Sequence, residues 1–230
     1  ERVAVQSLNL SIKQGEVFGL LGVNGAGKTT TIRMLACLTK PTSGDAIVLG
    51  KNILTDPQAI KSFINLSPQE TAVAPNLSVT ENLEFIAGVY GHSRQSARDM
   101  VARVANTLGL DEVQRDKARI LSGGWQRRLS IAMALISEPK ILFLDEPTLG
   151  LDVLARRELW SIIENLKGEM TIILTTHYLE EAQALSDEIG ILAKGQLKAV
   201  GTAAELIRLT GAQNFEDAFV SMATEAEEGI

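Results

Sequence analysis

Several protein classes are excluded by what this sequence has little of. It holds a single cysteine, Cys37, so no disulfide framework can form and a reducing, cytoplasmic setting is expected. Cys37 sits in the apolar run of residues 34–38 and reads as a small buried hydrophobe rather than a reactive thiol. Long apolar runs are missing too. Residues 131–136 form one of the longest, far short of the ~20 residues that span a bilayer, so the chain is not expected to cross a membrane itself. Nor is there a basic surplus: Lys plus Arg number 22 against 28 Asp plus Glu, for a net charge of -6 and a pI near 5.1. Phosphate-backbone recognition calls for the opposite balance, so no nucleic-acid partner is expected. The opening Glu1-Arg2-Val3-Ala4-Val5 has neither a leader's apolar core nor an initiator methionine, and reads as a trimmed start.

What is present suits one α/β domain over residues 1–230. Val3, Val5, Leu8, Leu10 and Ile12 alternate with polar residues up to a Lys13-Gln14-Gly15 turn, which predicts a hairpin feeding a buried strand over residues 17–21. A glycine-rich loop follows at residues 22–30. A helix is expected over residues 29–38, stopped by Pro41. From about residue 69 to 139 helical signals dominate: Ser78-x-x-Glu81 is a capping box, and Met100, Val101, Val104, Leu108 and Leu110 make an apolar face. This segment reads as a helical lobe inserted between core pieces 1–68 and 140–210, with residues 211–230 as a C-terminal tail. Apolar runs at 141–145 and 171–177, with a helix from Asp152 to Gly168 between them, imply a mostly parallel sheet covered on both faces. A late hairpin turning at Lys194-Gly195 and a helix from the Thr202-x-x-Glu205 box to Gly211 complete the pattern.

Gly22-Val23-Asn24-Gly25-Ala26-Gly27-Lys28-Thr29 has the spacing G-x-x-x-x-G-K-[ST], in which glycines let backbone N–H groups converge on phosphate oxygens at a helix N-terminus. Lys28 is expected to reach the β- and γ-phosphates of ATP, Thr29 to ligate Mg²⁺ and Thr30 to bond the α-phosphate. At the end of the run 141–145, Asp145 is placed to hold Mg²⁺ through water, and Glu146 is free to polarise an attacking water.

Leu121-Ser122-Gly123-Gly124, followed by Gln126-Arg127-Arg128, resembles the signature motif of ABC-transporter ATPase domains. Gln69 in Leu66-Ser67-Pro68-Gln69 resembles that family's Q-loop, Leu149-Gly150-Leu151-Asp152 its D-loop and His177 its switch histidine. These ordered motifs carry a resemblance running from Val3 to about Ile207. It implies a P-loop NTPase core with a mostly parallel sheet, an antiparallel β subdomain and the helical lobe. It also implies that two such domains, this chain and a second copy or a homologous ATPase subunit, sandwich ATP head to tail. One would supply residues 22–30, the other Ser122, Gly123 and Gly124, whose helix start offers unpaired N–H groups to a γ-phosphate. Glu146, His177 and Gln69 form the implied catalytic set, and Thr29, Gln69 and Asp145 the implied Mg²⁺ set. The approach Gly19-Leu20-Leu21-Gly22 and the segment from Thr175 to Ala182 are similar to bacterial drug-resistance (ABC-2) exporters, whose ATPase works on a separate membrane-spanning subunit at the cytoplasmic face of the membrane.

Two departures stand out. The family stacks adenine on an aromatic residue ahead of the first core strand, whereas none precedes Phe18 here, and Phe18 reads as core. Trp125 stands where the signature most often has Gln; its ring is expected either against the opposing subunit or turned into its own lobe. His92 reads as solvated and Trp160 as core. A soluble ABC ATPase acting on ribosomes or DNA is the alternative, lacking here a second ATPase domain, a coiled-coil insertion or a basic patch. A sensor without hydrolysis is disfavoured by Glu146 and His177.

Overall fold

Short apolar runs become strands here because alternate residues reach opposite faces of one sheet. The computed structural model describes residues 3–224, and its first strand, β1 (Val17–Leu21), is buried throughout. Val17 enters one core cluster while Phe18 and Leu20 enter another, so Phe18 is a core residue. The chain then passes through the glycine loop into α1 (Lys28–Leu35), the antiparallel pair β2 (Ile47–Val48) and β3 (Lys51–Asn52), α2 (Pro57–Lys61) and β4 (Ile64–Ser67).

Helices dominate next, as the capping signals require. In α3 (Val79–Val89) the Ser78 and Glu81 side chains cap each other's backbone N–H groups. The apolar stripe Met100, Val101 and Val104 of α4 (Arg94–Thr107) is buried, with Leu108 and Leu110 just beyond. α5 (Gly123–Leu135) returns the chain to the sheet at β5 (Ile141–Asp145). Asp152 opens α6 (Val153–Asn165) by accepting from the N–H groups of Leu154 (2.9 Å) and Ala155 (3.0 Å). β6 (Thr171–Thr176), α7 (Leu179–Leu185) and the hairpin of β7 (Glu188–Ala193) and β8 (Gln196–Gly201) follow, turning at Lys194-Gly195. α8 (Ala203–Thr210) has its Thr202–Glu205 box and ends at a left-handed Gly211; α9 (Phe215–Thr224) closes the described chain, and residues 225–230 of the acidic tail lie outside it.

One sheet of six strands runs in the order β4-β5-β6-β1-β7-β8, parallel except for β8. Phe18, Leu20, Phe143 and Ile173 face Ile32 of α1 and Ile60 of α2; Val17, Leu142, Leu144 and Ile172 face Leu129, Leu159 and Leu185 on the other side. This is the α/β P-loop NTPase arrangement. Among the described residues no helix is long and apolar enough to cross a membrane.

Two local expectations change. Residues 3–16 form no strand: Leu8, Leu10 and Ile12 pack against the core, but the backbone is tied to other backbone only at its ends, Gln6 N donating to the Gly195 carbonyl (2.7 Å) and Glu16 O accepting from Ile172 N (3.0 Å), and among the described residues no hairpin partner lies beside it. Its alternation records one-sided burial, not pairing. α1 ends at Leu35, well before Pro41, because Cys37 is left-handed (φ 57°) and the N–H groups of Leu38 and Thr39 return to the Arg33 carbonyl (2.8 and 3.1 Å). Cys37 is half-buried rather than buried.

Candidate active site

The carboxyl ends of four parallel strands share one edge of the sheet, since register sets Ser67 beside Leu144, Asp145 beside Thr175 and Leu21 beside Thr176. From these ends leave the Gln69 segment, the Asp145-Glu146 pair, the glycine loop and His177. Open α/β sheets bind ligands at such an edge.

Local geometry explains the glycines of the loop. A Cβ on Gly22 would stand 2.3 Å from the Leu192 carbonyl oxygen, and one on Gly27, at φ 106°, would stand 2.5 Å from that of Ala4. Gly22 N also donates to the Thr176 carbonyl (3.2 Å), pinning the loop to β6. Val23, Asn24 and Gly25 are exposed at its crest, whereas Ala26 is buried beneath. Gly27 caps α1 without any side-chain cap, which leaves first-turn N–H groups to an anion. Thr30 is half-buried in that first turn.

Three sequence-predicted side chains converge on Glu146 and Asp145. Lys28 Nζ donates to the Gly22 carbonyl (2.7 Å) and lies 3.0 Å from Glu146 Oε1, both residues being buried. His177 Nδ1 lies 2.7 Å from Glu146 Oε2; an ionised carboxylate only accepts, so the imidazole N–H is the donor. Thr29 Oγ1 donates to Asp145 Oδ1 (3.1 Å). These are hard oxygen donors side by side, the chemistry Mg²⁺ takes from one or two protein groups while it keeps water and phosphate oxygens. Among the described residues no group of three or more His, Cys, Asp or Glu side chains could cage a metal without such help.

Thr175 was not singled out by its sequence context, yet it orients both acids. Its hydroxyl donates to Asp145 Oδ1 (2.5 Å) and accepts from Glu146 N (3.1 Å). Glu146 also donates its N–H to the Thr175 carbonyl (3.1 Å) and holds a left-handed φ of 48° just before Pro147. That conformation costs a residue with a Cβ roughly 1–2 kcal/mol, and strain of this kind gathers where a side chain must be aimed.

The other predicted residues stand apart from this cluster. Gln69 is exposed, and its carbonyl rather than its side chain is tied down, by Arg127 Nη1 at 3.4 Å. Ser122 caps α5 in position only, with no side-chain bond to the helix, so its hydroxyl and the helix start with Gly123 and Gly124 face outward or lie half-buried. Among the described residues no hydrogen bond or ion pair joins Ser122, Gly123 or Gly124 to the glycine loop. Trp125 is half-buried against the cluster that lines the helical segment, with the Arg128 guanidinium 4.7 Å from its ring centre. Trp160 packs on the same cluster, and His92 is half-buried with its Nδ1 3.1 Å from the Ser96 hydroxyl.

Two buried charges were missed. Arg127, on α5, is pushed down to about 10 by burial, against the pull of Asp145, Glu181 and Glu146, and so stays cationic at neutral pH. The signal in the sequence is its place on the apolar row of Ile131 and Ala134, at i+4 and i+7. Glu181, on α7, accepts from Thr148 Oγ1 (2.7 Å) and Trp160 Nε1 (3.1 Å) through Oε1, while its buried Oε2 has no hydrogen-bond partner among the described residues. Burial raises this carboxyl above its ordinary value of 4.5, opposed by the nearby Thr176 hydroxyl and by the donors Thr148 and Trp160.

A carboxyl that holds its proton more tightly in the folded chain lends stability that is complete below pH 4.5 and is lost as pH rises through the raised value. Glu181→Gln keeps the acceptor for Thr148 and Trp160 and cannot ionise. Its melting temperature is therefore expected to fall less than that of the parent as pH is raised from 4.5 towards neutrality. Parallel melting curves for the two proteins across that range would contradict this.

Comparison with known proteins follows the same lines. The model of the family described as ABC transporter matches residues 5–149. The human phospholipid-transporting ATPase ABCA3 is 43% identical over 212 residues, which cover 92% of this chain and 12% of that protein. The linearmycin resistance ATP-binding protein LnrL of Bacillus subtilis is 39% identical over 227 residues, covering 98% of this chain and 73% of LnrL. Among solved structures, the dimeric post-hydrolysis state of the ATP-binding cassette MJ0796 bound to ADP and Pi superposes with a TM-score of 0.78 at 27% identity, covering 86% of this chain and 90% of that one.

Proposed function

The chain belongs to the ABC transporter family as an ATPase cassette, and from that membership we propose that it binds and hydrolyses ATP between two opposed cassettes, driving transport through a separate membrane-spanning subunit. The observation that carries this reading is the meeting of Lys28, Glu146 and His177 at the carboxyl edge of the sheet, next to a glycine loop that opens a helix. Lys28 and the loop N–H groups hold the β- and γ-phosphates, Thr30 the α-phosphate. Glu146 draws a proton from the attacking water. His177, its Nδ1 N–H bonded to that carboxylate, keeps it aimed beside the γ-phosphate. Thr29 and Asp145, with Gln69, would hold Mg²⁺, which supplies charge neutralisation on the phosphates when bound.

Half of the site lies on another surface. Ser122, Gly123 and Gly124 start a helix with N–H groups that no side chain caps, and they fit the γ-phosphate of a second cassette. That this cassette is another copy of the chain or a homologue, and that both work at the cytoplasmic face of a membrane, is supported by the cassette dimer of MJ0796 and by relatives named for transport and resistance. The two relatives are named for different roles, phospholipid transport and linearmycin resistance, which fits an engine that does not touch the cargo.

If two chains build one site, the ATPase rate at fixed saturating Mg²⁺-ATP should rise faster than linearly with protein concentration, because the active species is bimolecular. A strictly linear dependence from nanomolar to high micromolar concentration would remove the composite site.

A further inference from the structure

The Arg127 side chain is buried to 4% exposure and no carboxylate forms an ion pair with it among the described residues. Its planar fork instead spends its donors on four backbone carbonyls. Nε donates to Pro147 O (2.8 Å) and Nη2 to Asp145 O (2.8 Å), while Nη1 donates to Pro68 O and, more weakly, to Gln69 O (3.4 Å). The carbonyls before and after Glu146 are thus both in its grip, and so are those at and just before Gln69. One side chain fixes the distance between the turn that aims the water-polarising carboxylate and the segment that delivers Gln69. Arg127 also stands one helical turn below Gly123, so it joins these two loops to the helix whose start faces outward.

We infer that Arg127 is a positioning residue for hydrolysis, which holds the backbone on either side of Glu146 in register with the Gln69 segment. A fork is what the task requires. Lysine carries the same charge, but its donors radiate from one point and cannot bridge carbonyls on two separate loops. The inference rests on the reading of Glu146 as the carboxylate that polarises water.

The test is a double-mutant cycle on the full chain with Arg127→Lys, Glu146→Gln and the pair, reading single-turnover hydrolysis, nucleotide affinity and melting temperature. Arg127→Lys is expected to slow hydrolysis by about 10- to 100-fold, the scale on which a carboxylate displaced by ~1 Å loses its effect. Nucleotide affinity should hold, since the residue touches no part of the phosphate loop. In the Glu146→Gln background the same change should add nothing, because the group it aims is already gone. Arg127→Gln, which removes the charge, should be no slower than Arg127→Lys. A full additive loss in the double variant would overturn the inference, and so would hydrolysis within twofold of the parent in a folded Arg127→Lys protein. Loss of the folded state in both single Arg127 variants would overturn it as well, since Arg127 would then hold the fold and not the site. Undiminished turnover in Glu146→Gln alone would instead strike the reading of Glu146 on which it rests.

Discussion

Glu146→Gln is expected to lower turnover by about 100-fold or more while the chain still binds ATP, since loss of a general base removes typically 10²- to 10⁴-fold. The amide keeps the shape of the carboxylate and can still accept from His177, but it cannot take a proton from water. The phosphate loop, with Lys28 bonded to the Gly22 carbonyl, stays in place to hold the nucleotide. Binding should even tighten slightly, because Lys28 no longer shares its charge with Glu146 at 3.0 Å. Single-turnover hydrolysis beside a nucleotide titration separates the two effects. Full turnover in a variant that binds ATP would remove the role assigned to Glu146, whereas loss of binding alone would point to damage in the loop.

Local signals are legible in the sequence because their physics is local. The two capping boxes, at Ser78 with Glu81 and at Thr202 with Glu205, each satisfy backbone donors within one turn. The Lys194-Gly195 turn needs two left-handed residues in a row, and both are left-handed. The glycine loop is local only in part: Gly27 holds a positive φ of 106°, whereas Gly22 is required by the Leu192 carbonyl, far away in the chain.

Elsewhere the controlling contact is distant in the chain. Leu8, Leu10 and Ile12 do turn one face to the core, but alternation reports burial on one side and says nothing about a partner strand. The end of α1 is set by a left-handed Cys37, a conformation that the sequence advertises only where it uses Gly or Asn. The task of Arg127 is not legible in its motif, because its partners are carbonyls 18 to 59 residues away and every residue has a carbonyl. A charged residue on the buried row of a helix is the one clue such a contact leaves. Thr175 left less, since threonine in a buried strand is common.

Gly123 offers the sharpest test of the second cassette, because nothing among the described residues explains it. A Cβ built there meets no atom within 4 Å, and its φ is not left-handed. Glycine is thus neither sterically nor conformationally required in the isolated chain, in contrast to Gly22 and Gly27. Alanine should suit the helix better, by up to ~0.5–1 kcal/mol, and an aspartate in the first turn should gain ~0.3–1 kcal/mol from the helix dipole. If an opposed ATP phosphate approaches the start of α5, however, the aspartate meets a like charge. At ~4 Å that repulsion is about 1 kcal/mol in water and about 4 kcal/mol at the effective dielectric of a protein surface. Gly123→Asp is therefore expected to raise or preserve the melting temperature and leave nucleotide affinity of the single chain unchanged. It should lower turnover by about five- to 1,000-fold and abolish the ATP-bound dimer that Glu146→Gln should trap in sedimentation. Gly123→Ala, which adds one methyl group and no charge, should fall between the parent and the aspartate. Opposite signs for stability and turnover cannot come from damage within the chain, so they would locate the requirement on a surface that the chain alone does not contain. Parent-like turnover and an intact trapped dimer in Gly123→Asp would mean that no phosphate stands there.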